Sequence, residues 1–384
     1  MSDRQVVVIG AGPAGLAAAA ELGRRDVRAT VLEQASAIAW SWRGRYDRLR
    51  LNSSRWFSNL PGARFPRQTG AFPSRDQMVA YLDDYGNGLD VRLNTRVERI
   101  DRGDAGWIVR TSTGDVPADH VIVASGYAHT PYVPDWPGRD RFGGELLHAH
   151  AYRNPEPFRD RDVLVVGPGC SGMEIAYDLI EAGVSRVRLA VRTPPNILIR
   201  SPVGPLFARA LRKLGPQRAD RVMPLIRRLE VGDLTEYGLP APEEGIFARL
   251  QRLGVAPAIV DKEVIEAIKA RRIEIVAGVE SLDEGGVALA DGSRIEPDAV
   301  IAATGYRCGL EPVVGHLGVL NERGIPKVPS GDEAAPGLRF IGYAPAPAHL
   351  GYIGREATRA AEAIADAAQH AASLRLRRQV ASTA

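Results

Sequence analysis

The hydrophobic pattern of the chain contains the same unit twice. Residues 5–33 place the apolar run VVVI before a glycine-rich turn, followed by an alanine-rich stretch and a second apolar run that ends at Glu33. Residues 162–192 repeat this order, with VLVV before the turn and a last run that ends at Arg192. A short continuous apolar run predicts a buried strand, and the longer stretch after each turn predicts a helix. Each segment therefore predicts a βαβ unit.

Both predicted turns contain glycines in the spacing GxGxxG. These glycines are Gly10, Gly12 and Gly15 in the first unit, and Gly167, Gly169 and Gly172 in the second. Between a strand and a helix, this spacing gives a tight turn, close approach of a pyrophosphate and close helix packing. The alternative is an ordinary strand–turn–helix without a ligand. The complete unit favours a dinucleotide site.

The residue that ends each unit differs in charge. Glu33 lies 18 positions after Gly15, where a carboxylate would accept a hydrogen bond from a ribose 2′-hydroxyl. Arg192 lies 20 positions after Gly172 and precedes Thr193, and a guanidinium beside a hydroxyl suits a 2′-phosphate. The alternative for Arg192 is a solvated charge at the end of a strand. The pair predicts FAD in the first unit and NADPH in the second.

Further apolar segments complete the predicted fold. VIVASGY (121–127) and VIAATGY (300–306) each end in a small-residue turn and follow an alternating hairpin pattern with a glycine turn. We expect an α/β fold with two Rossmann-like dinucleotide-binding domains, the second inserted in the first. The predicted limits are 1–155 with 300–384 for the FAD domain and 156–299 for the NADPH domain. The end of the chain predicts a strand, a Pro/Gly loop and an amphipathic helix that return to the first domain.

Composition narrows the function classes. The net charge of +3 does not favour nucleic acid as a partner. Cys170 and Cys308 form no CxxC, which excludes a disulfide reductase of the thioredoxin reductase kind. Without a signal peptide or an apolar run of about 18 to 20 residues, we expect a soluble, cytoplasmic protein without a transmembrane segment. The Arg-rich segment 205–230 favours a solvated helical face over a membrane-surface helix.

Familiar catalytic and metal motifs are missing from the sequence. It has no GxSxG, no HExxH and no carboxylate pair in a glycosidase-like setting. His148 and His150 in FGGELLHAHAYR (142–153) have no third ligand or cysteine partner nearby, which argues against a metal site. We interpret this segment as a connector between the two domains.

Seven segments together resemble the class B flavin-dependent monooxygenases, which include the flavin-containing monooxygenases and the plant YUCCA enzymes. They are GAGPAG (10–15), WRGRYDRLRLNSSRWF (42–57), FxGxxxHxxxYR (142–153), GPGCSGME (167–174), VRTPPNILIR (191–200), VGDLTEYGLP (231–240) and ATGY (303–306). The resemblance implies an NADPH- and O2-dependent enzyme that oxygenates a small organic substrate through a C4a-(hydro)peroxyflavin. Tyr152 followed by Arg153 resembles the N/S-oxygenating and YUCCA branches, because Baeyer–Villiger enzymes carry Trp followed by Pro or Asp there.

The resemblance also implies roles for individual residues. Asn52 matches the family's active-site asparagine, although local composition alone favours a turn or cap residue. Arg200 is implied to add charge near the NADPH phosphates. Trp42 and Arg43 would contact the flavin, or else are a core Trp and a surface Arg. The predicted cofactor-binding residues are Gly10, Gly12, Pro13, Ala14, Gly15, Glu33, Gln34, Trp42, Arg43, Val97, Ser125, Gly126, Tyr127, His148, Tyr152, Gly167, Gly169, Cys170, Ser171, Gly172, Arg192, Thr193, Arg200, Ala303, Thr304, Gly305, Tyr306 and Gly342.

Several functional alternatives stay open at this level. The substrate chemistry is N/S-oxygenation or YUCCA-like oxidative decarboxylation of a 2-oxo acid. LNSSRWF resembles the heteroatom oxygenases, whereas the segments around 231–240 resemble the YUCCA enzymes. An NADPH oxidase or flavin reductase without a stable oxygen adduct is a second hypothesis, and a non-catalytic flavin-binding regulator is a third. The expected partners are a small-molecule substrate and O2, and a homodimer is left open.

Overall fold

Two largely parallel sheets form the centre of the protein. The structure, a computed structural model, describes residues 5–104, 106–254, 256–343 and 350–383. The strands are β1 (Val6–Ile9), β2 (Ala29–Leu32), β3 (Val91–Arg92), β4 (Val97–Gly103), β5 (Gly106–Thr111), β6 (Gly114–Ala118), β7 (His120–Val123), β8 (Thr130–Pro131), β9 (Glu145–His148), β10 (Asp162–Val166), β11 (Arg186–Val191), β12 (Ile197–Ile199), β13 (Ala258–Val260), β14 (Glu274–Ala277), β15 (Val279–Asp283), β16 (Gly286–Leu289), β17 (Arg294–Ile295), β18 (Ala299–Ala302), β19 (Tyr306–Arg307), β20 (Glu333–Ala335) and β21 (Leu338–Phe340). The α-helices are α1 (Pro13–Gly23), α2 (Trp40–Arg43), α3 (Arg75–Gly86), α4 (Cys170–Glu181), α5 (Gly204–Lys213), α6 (Pro216–Glu230), α7 (Ile246–Leu253), α8 (Lys262–Lys269), α9 (Glu311–Val314) and α10 (Leu350–Thr383).

The first sheet has the strand order β20-β21-β7-β1-β2-β3. Its central strand β1 is parallel to both β2 and β7. Val6 and Val8 pack into a core shared with α1 and α10, whereas Val7 faces a second core that includes Trp107 of β5. A strand covered on both faces has no polar side, which explains the continuous apolar run VVVI.

The second sheet is parallel throughout and has the order β14-β11-β10-β18-β9. Val163 and Val165 of β10 pack with α4 and α8, and Leu164 faces the core beneath the small antiparallel sheet β15-β16-β17. The first half contains a comparable antiparallel sheet, β4-β5-β6. The hairpin predicted before each small-residue turn is therefore confirmed, as β5-β6 and as β16-β17.

The strand pairing differs from the predicted domain limits at two places. β9 and β18 pair in register from Glu145 with Ala299 to His148 with Ala302, so both strands belong to the second sheet. The predicted limits at 155 and 300 place β9 and most of β18 in the first domain, which this pairing contradicts. The physical reason is that Leu146 and Leu147 pack against different cores of the second half. The segment 142–153 is therefore an edge strand and its following loop rather than a plain connector.

The end of the described chain returns to the first half, as predicted. β21 is parallel to β7, and Ala357, Ala361 and Ile364 of α10 lie in the same core as α1. The predicted Pro/Gly loop falls mostly on residues 344–349, which lie outside the described residues. Among the described helices, none combines the length and apolar character needed to cross a bilayer.

Candidate cofactor and active site

The turn between β1 and α1, residues 10–15, admits only glycine at two of its positions. Gly10 has φ +101°, and a β-carbon there would lie 2.8 Å from the carbonyl oxygen of Ala124. A β-carbon on Gly15 would lie 1.8 Å from the carbonyl oxygen of Gly10. Around Gly12, by contrast, no heavy atom of the described chain lies within 4 Å of such a β-carbon. In this first glycine turn, protein atoms leave no room for a side chain at the first and third glycines, whereas the space around the middle glycine is open.

The turn between β10 and α4, residues 167–172, has the same construction. Gly167 has φ +111°, and its β-carbon would lie 2.6 Å from the carbonyl oxygen of Ala303. A β-carbon on Gly172 would lie 1.9 Å from the carbonyl oxygen of Gly167. The position of Gly169 is again open within 4 Å among the described residues. We call this the second glycine turn.

Both turns fit the pyrophosphate of a dinucleotide. Each opens directly into a helix, at Pro13 for α1 and at Cys170 for α4, and neither helix has an acidic residue in its first turn. The free N–H groups and the positive end of the helix dipole favour an anion there. The open space at Gly12 and Gly169 is where the backbone would approach the phosphates.

Glu33 lies beside the first glycine turn, directly after β2. Its carboxylate accepts hydrogen bonds from the N–H of Ala11 (2.8 Å) and of Ala35 (2.9 Å) and is almost buried. An ionised carboxylate has about four lone-pair sites, so it can also accept from ribose hydroxyls. The exposed Gln34 follows it, and Val97 begins β4 two residues after Thr95, whose N–H donates to the carbonyl of Glu33 (2.8 Å).

Arg192 and Thr193 lie at the equivalent place beside the second glycine turn. They follow the last residue of β11 and are both exposed. The backbone of Arg192 passes close to Gly278, where a β-carbon would lie 3.0 Å from the Arg192 β-carbon. An exposed guanidinium and a hydroxyl at this position are accessible to a ligand phosphate.

Residues from later in the chain lie around the first glycine turn. Gly342, with φ +86°, lies against Ala14, and its N–H donates to the buried Glu356 (3.1 Å). The hydroxyls of Ser125 and Tyr343 are 2.8 Å apart. Ser125, Gly126 and Tyr127 follow β7 on the same sheet edge. The predicted residues 125, 126 and 342 are thus brought together with residues 10–15.

The helix α2 also lies beside the first glycine turn. The N–H of Ala39 donates to the carbonyl of Ala11 (2.9 Å), and Trp42 packs partly buried against the first core. Arg43 instead pairs with Asp83 of α3. The structure therefore brings Trp42 to the turn but gives the Arg43 guanidinium another partner.

His148 supports the loop that passes the second glycine turn. Its Nδ1 accepts from the N–H of His150 (2.9 Å), so Nε2 carries the proton and donates to the carbonyl oxygen of Gly305 (2.9 Å). Burial lowers the pKa of His148, which favours this neutral form. Gly305 has φ +90° and an open β-carbon position among the described residues. His148 thus fixes a turn that lies next to the second glycine turn, where the β-carbon position of Gly167 is 2.6 Å from the carbonyl oxygen of Ala303.

The neighbours of Gly305 are fixed in the same way. The Thr304 hydroxyl donates to the carbonyl of Tyr132. The Tyr306 ring meets His148 edge-on at 5.0 Å, and the Tyr306 hydroxyl accepts from Arg45. The contacts with Tyr132 and Arg45 join the loop at 303–306 to residues of the first half.

Tyr152 lies in the interior, where its burial argues against the predicted contact with a cofactor. Its side chain is 1% exposed, packs on Phe158, and donates to the Asp178 carboxylate (2.7 Å). Phe158 therefore accounts for the packing of its aromatic ring, and one acid of α4 accounts for its hydroxyl. The following Arg153 donates to the carbonyl of His150 (2.8 Å).

Arg200 also differs from its predicted role at the NADPH phosphates. It is buried and forms ion pairs with Glu174 and Asp261, and it donates to the Asn52 side chain (3.1 Å). A guanidinium with two carboxylates at hand has its charge already balanced inside the protein. The structure thus assigns Arg200 to the junction between the halves, next to Asn52.

Cys170 is the first residue of α4, and Ser171 follows it. The Cys170 sulfur accepts from the N–H of Ile259 (3.2 Å), and burial raises the pKa of its thiol. Cys170 and Cys308 are both free. The cysteine is thus a packed thiol at the second glycine turn.

Sequence reasoning missed a set of polar residues that joins the two halves. The Tyr46 hydroxyl donates to Glu174, and the Tyr152 hydroxyl to Asp178, four residues further along α4. A signal was present in GMEIAYDLI, where two acids share one face of an otherwise apolar helix. Such buried acids require donors from elsewhere, and their identity depends on the tertiary fold.

Known proteins resemble the chain over most of its length. The family model described as pyridine nucleotide-disulphide oxidoreductase matches residues 7–209. Indole-3-pyruvate monooxygenase YUCCA1 of Oryza sativa subsp. japonica is 37% identical over 334 residues, which are 84% of this chain and 82% of that protein. Probable indole-3-pyruvate monooxygenase YUCCA7 of Arabidopsis thaliana is 34% identical over 357 residues, 88% of this chain and 82% of that protein.

Solved structures agree with these relatives. A mutant of the flavin monooxygenase from Stenotrophomonas maltophilia superposes with a TM-score of 0.72 at 25% identity, covering 95% of this chain and 99% of that chain. Cyclohexanone monooxygenase shares the fold, with a TM-score of 0.74 at 18% identity over 96% of this chain and 88% of that chain. The chain therefore belongs to the family of flavin-dependent monooxygenases that includes the YUCCA proteins, and it oxygenates a small substrate.

Proposed function

We propose that the protein binds FAD at the first glycine turn and NADPH at the second, and oxidatively decarboxylates a 2-oxo acid of the indole-3-pyruvate class. The reaction consumes the 2-oxo acid, O2, NADPH and a proton, and yields the shortened acid, CO2, water and NADP+. The observation that supports this substrate class is the similarity, at 33–37% identity over most of the chain, to relatives named indole-3-pyruvate monooxygenases.

The cofactor assignment is supported by the charges beside the two turns. Glu33 would accept from ribose hydroxyls and repel a 2′-phosphate, which suits the adenosine of FAD. Arg192 and Thr193, both exposed, would bind the 2′-phosphate of NADPH. When bound, the flavin supplies the redox and oxygen chemistry, which amino-acid side chains do not provide.

The protein's own part in the reaction is to bind, orient and exclude water. His148 holds the turn at Gly305 beside the second glycine turn. The exposed Asn52, linked to Arg200, offers an amide at the junction of the two halves. Such fixed donors gain strength where water is excluded.

The test is product analysis with the FAD-loaded protein, NADPH, O2 and indole-3-pyruvate. We expect one CO2 and one indole-3-acetate for each NADPH consumed. Because hydrogen peroxide decarboxylates 2-oxo acids without an enzyme, catalase must be present, and a peroxide-only control must accompany it. An amine, a thioether and a ketone complete the substrate panel.

Two outcomes would contradict the proposal. If catalase abolishes the acid and NADPH is spent only on peroxide with every substrate, the protein is an NADPH oxidase under these conditions. If only the amine or thioether gives an oxygenated product, the protein is a heteroatom oxygenase, and the substrate class proposed here is wrong.

A further inference from the structure

A buried arginine meets Asn52 where the two halves join. Arg200 follows β12, and its side chain is 2% exposed. Its Nη1 donates to both carboxylate oxygens of Asp261 (3.0 and 2.8 Å). Its Nη2 donates to Glu174 and to the side-chain oxygen of Asn52 (3.1 Å). Two carboxylates from separate elements thus hold the two terminal nitrogens of the guanidinium, and the Asn52 amide meets it at the same nitrogen as Glu174.

The direction of this last bond determines what Asn52 offers to a ligand. A guanidinium has donors and no acceptor, so the amide oxygen must point towards Arg200. The amide NH2 group then points away from the arginine. Asn52 is exposed, so this NH2 group is accessible. The network thus makes Asn52 a hydrogen-bond donor rather than an acceptor.

We propose that Arg200, held by Glu174 and Asp261, is a positioning residue that fixes the Asn52 amide with its NH2 group towards the bound cofactors. This role of Asn52 requires the cofactors of the proposed function, on which the inference rests. Glu174 lies in α4 just after the second glycine turn, so the network connects the amide to the helix that would hold the nucleotide. The bond from the Ser54 hydroxyl to the carbonyl of Pro202 (2.9 Å) joins the same two segments independently.

Arg200→Lys is the variant that tests this geometry. Lysine keeps the charge, but a single ammonium cannot hold both carboxylates and the amide as the planar fork does. The first readout is the NMR signal pair of the Asn52 NH2 group in protein labelled with 15N-asparagine, identified by its loss in Asn52→Ala. We expect the pair to shift and broaden in Arg200→Lys. Ser54→Ala is the matched control, because it removes the neighbouring bond and should leave the pair unchanged.

Cofactor binding and coupling supply the second and third readouts. We expect the calorimetric Kd for NADP+ to change by less than about twofold, and the peroxide formed per NADPH to rise about tenfold, as for the loss of a hydrogen bond to a charged group. In the Asn52→Ala background, Arg200→Lys should add no further peroxide, since both changes remove the same oriented amide.

Each readout can overturn the inference. Unchanged Asn52 signals in the folded variant, or additive peroxide yields in the double variant, would contradict positioning. A loss of NADP+ affinity of about tenfold with unchanged amide signals would instead make Arg200 a phosphate ligand. If Arg200→Lys does not fold, Asp261→Asn removes one of the two holding carboxylates and must give the same shift. A wild type without product refutes only the proposed function, because the amide signals require no turnover.

Discussion

The two glycine turns share one backbone and differ in the side chains beside it. In both, the first and third glycines are fixed by contacts with a carbonyl oxygen, and the middle glycine is open among the described residues. Beside the first turn, Glu33 is nearly buried and bonded to two backbone N–H groups, whereas beside the second, Arg192 is exposed. Under the proposed function, the same backbone would bind a pyrophosphate at both turns, and the residue after the second strand of each unit would decide which dinucleotide fits.

Glycine substitutions should have the largest effects, and the effect on cofactor binding should differ between the two turns. In Gly15→Ala and Gly172→Ala, the new β-carbon would lie 1.8 or 1.9 Å from a carbonyl oxygen, so each half should lose about 3 kcal/mol or more of stability. We expect Gly15→Ala to lose FAD, and Gly172→Ala to keep FAD but lose its reduction by NADPH. Flavin absorbance of the purified protein and thermal unfolding measure these effects.

Gly12→Ala and Gly169→Ala are the matched controls. Their β-carbons enter open space, so the cofactor-free protein should unfold as the wild type does, while the dinucleotide of that turn is excluded. Retention of FAD by Gly12→Ala with wild-type affinity would show that the first turn does not approach a pyrophosphate.

Arg192→Gln tests the charge beside the second turn. Loss of a hydrogen bond to a phosphate should raise the KM for NADPH by about 10- to 100-fold and leave the KM for NADH unchanged. Steady-state kinetics with both nucleotides measures it. Arg186→Gln, at the other end of β11, removes another exposed positive charge, one that pairs with Glu274, and should change neither value. An unchanged preference for NADPH in Arg192→Gln contradicts the assignment.

Glu33→Gln tests the carboxylate beside the first turn. An amide oxygen can accept from Ala11 or from Ala35, but the NH2 group would face the other N–H. We expect the Kd for FAD to rise about tenfold, with the KM for NADPH unchanged. Flavin fluorescence titration of the cofactor-free protein gives this Kd. An effect on NADPH instead of FAD would reverse the assignment of the two turns.

Among these variants, Tyr152→Phe should change the stability of the protein least. It should not change the binding of either cofactor. Burial raises the pKa of Asp178, and the Tyr152 hydroxyl supports its ionised form. Without the hydroxyl, that pKa rises further, so the variant should lose about 1 kcal/mol at neutral pH. Since the pKa of Asp178 in the folded chain lies above the ordinary value of 3.8, the loss should fade as the pH falls through this raised pKa, below which Asp178 is protonated in both the wild type and the variant. Urea unfolding at several pH values checks this, and a pH-independent loss would contradict it.

The sequence predicted the parts of the fold that depend on local pattern. The continuous apolar runs predicted β1 and β10, and the glycine spacing predicted both turns. The distance from each turn along the chain predicted that Glu33 and Arg192 lie beside them. β9 was missed because its four residues, Glu145–His148, directly follow two glycines and are too few to show a strand pattern. Its apolar pair Leu146–Leu147 is partly buried against two cores of the second half, where the pairing with β18 places it.

The roles of the side chains at the junction between the two halves could be recognised only from the tertiary fold. Arg200 has a sequence context that suits a phosphate ligand, but its partners Glu174 and Asp261 lie 26 and 61 positions away. Tyr152 matches a family position, but its burial depends on Phe158 and Asp178. Long-range charge pairing leaves no periodic signal in a single sequence, so these roles could not be predicted from it.

The most direct measurement is a crystal structure of the protein with FAD and NADP+ bound. We expect the FAD pyrophosphate at Gly12 with the adenosine ribose at Glu33, and the NADP+ 2′-phosphate at Arg192 and Thr193. A 2′-phosphate bound to Arg200, or an FAD ribose away from Glu33, would contradict it.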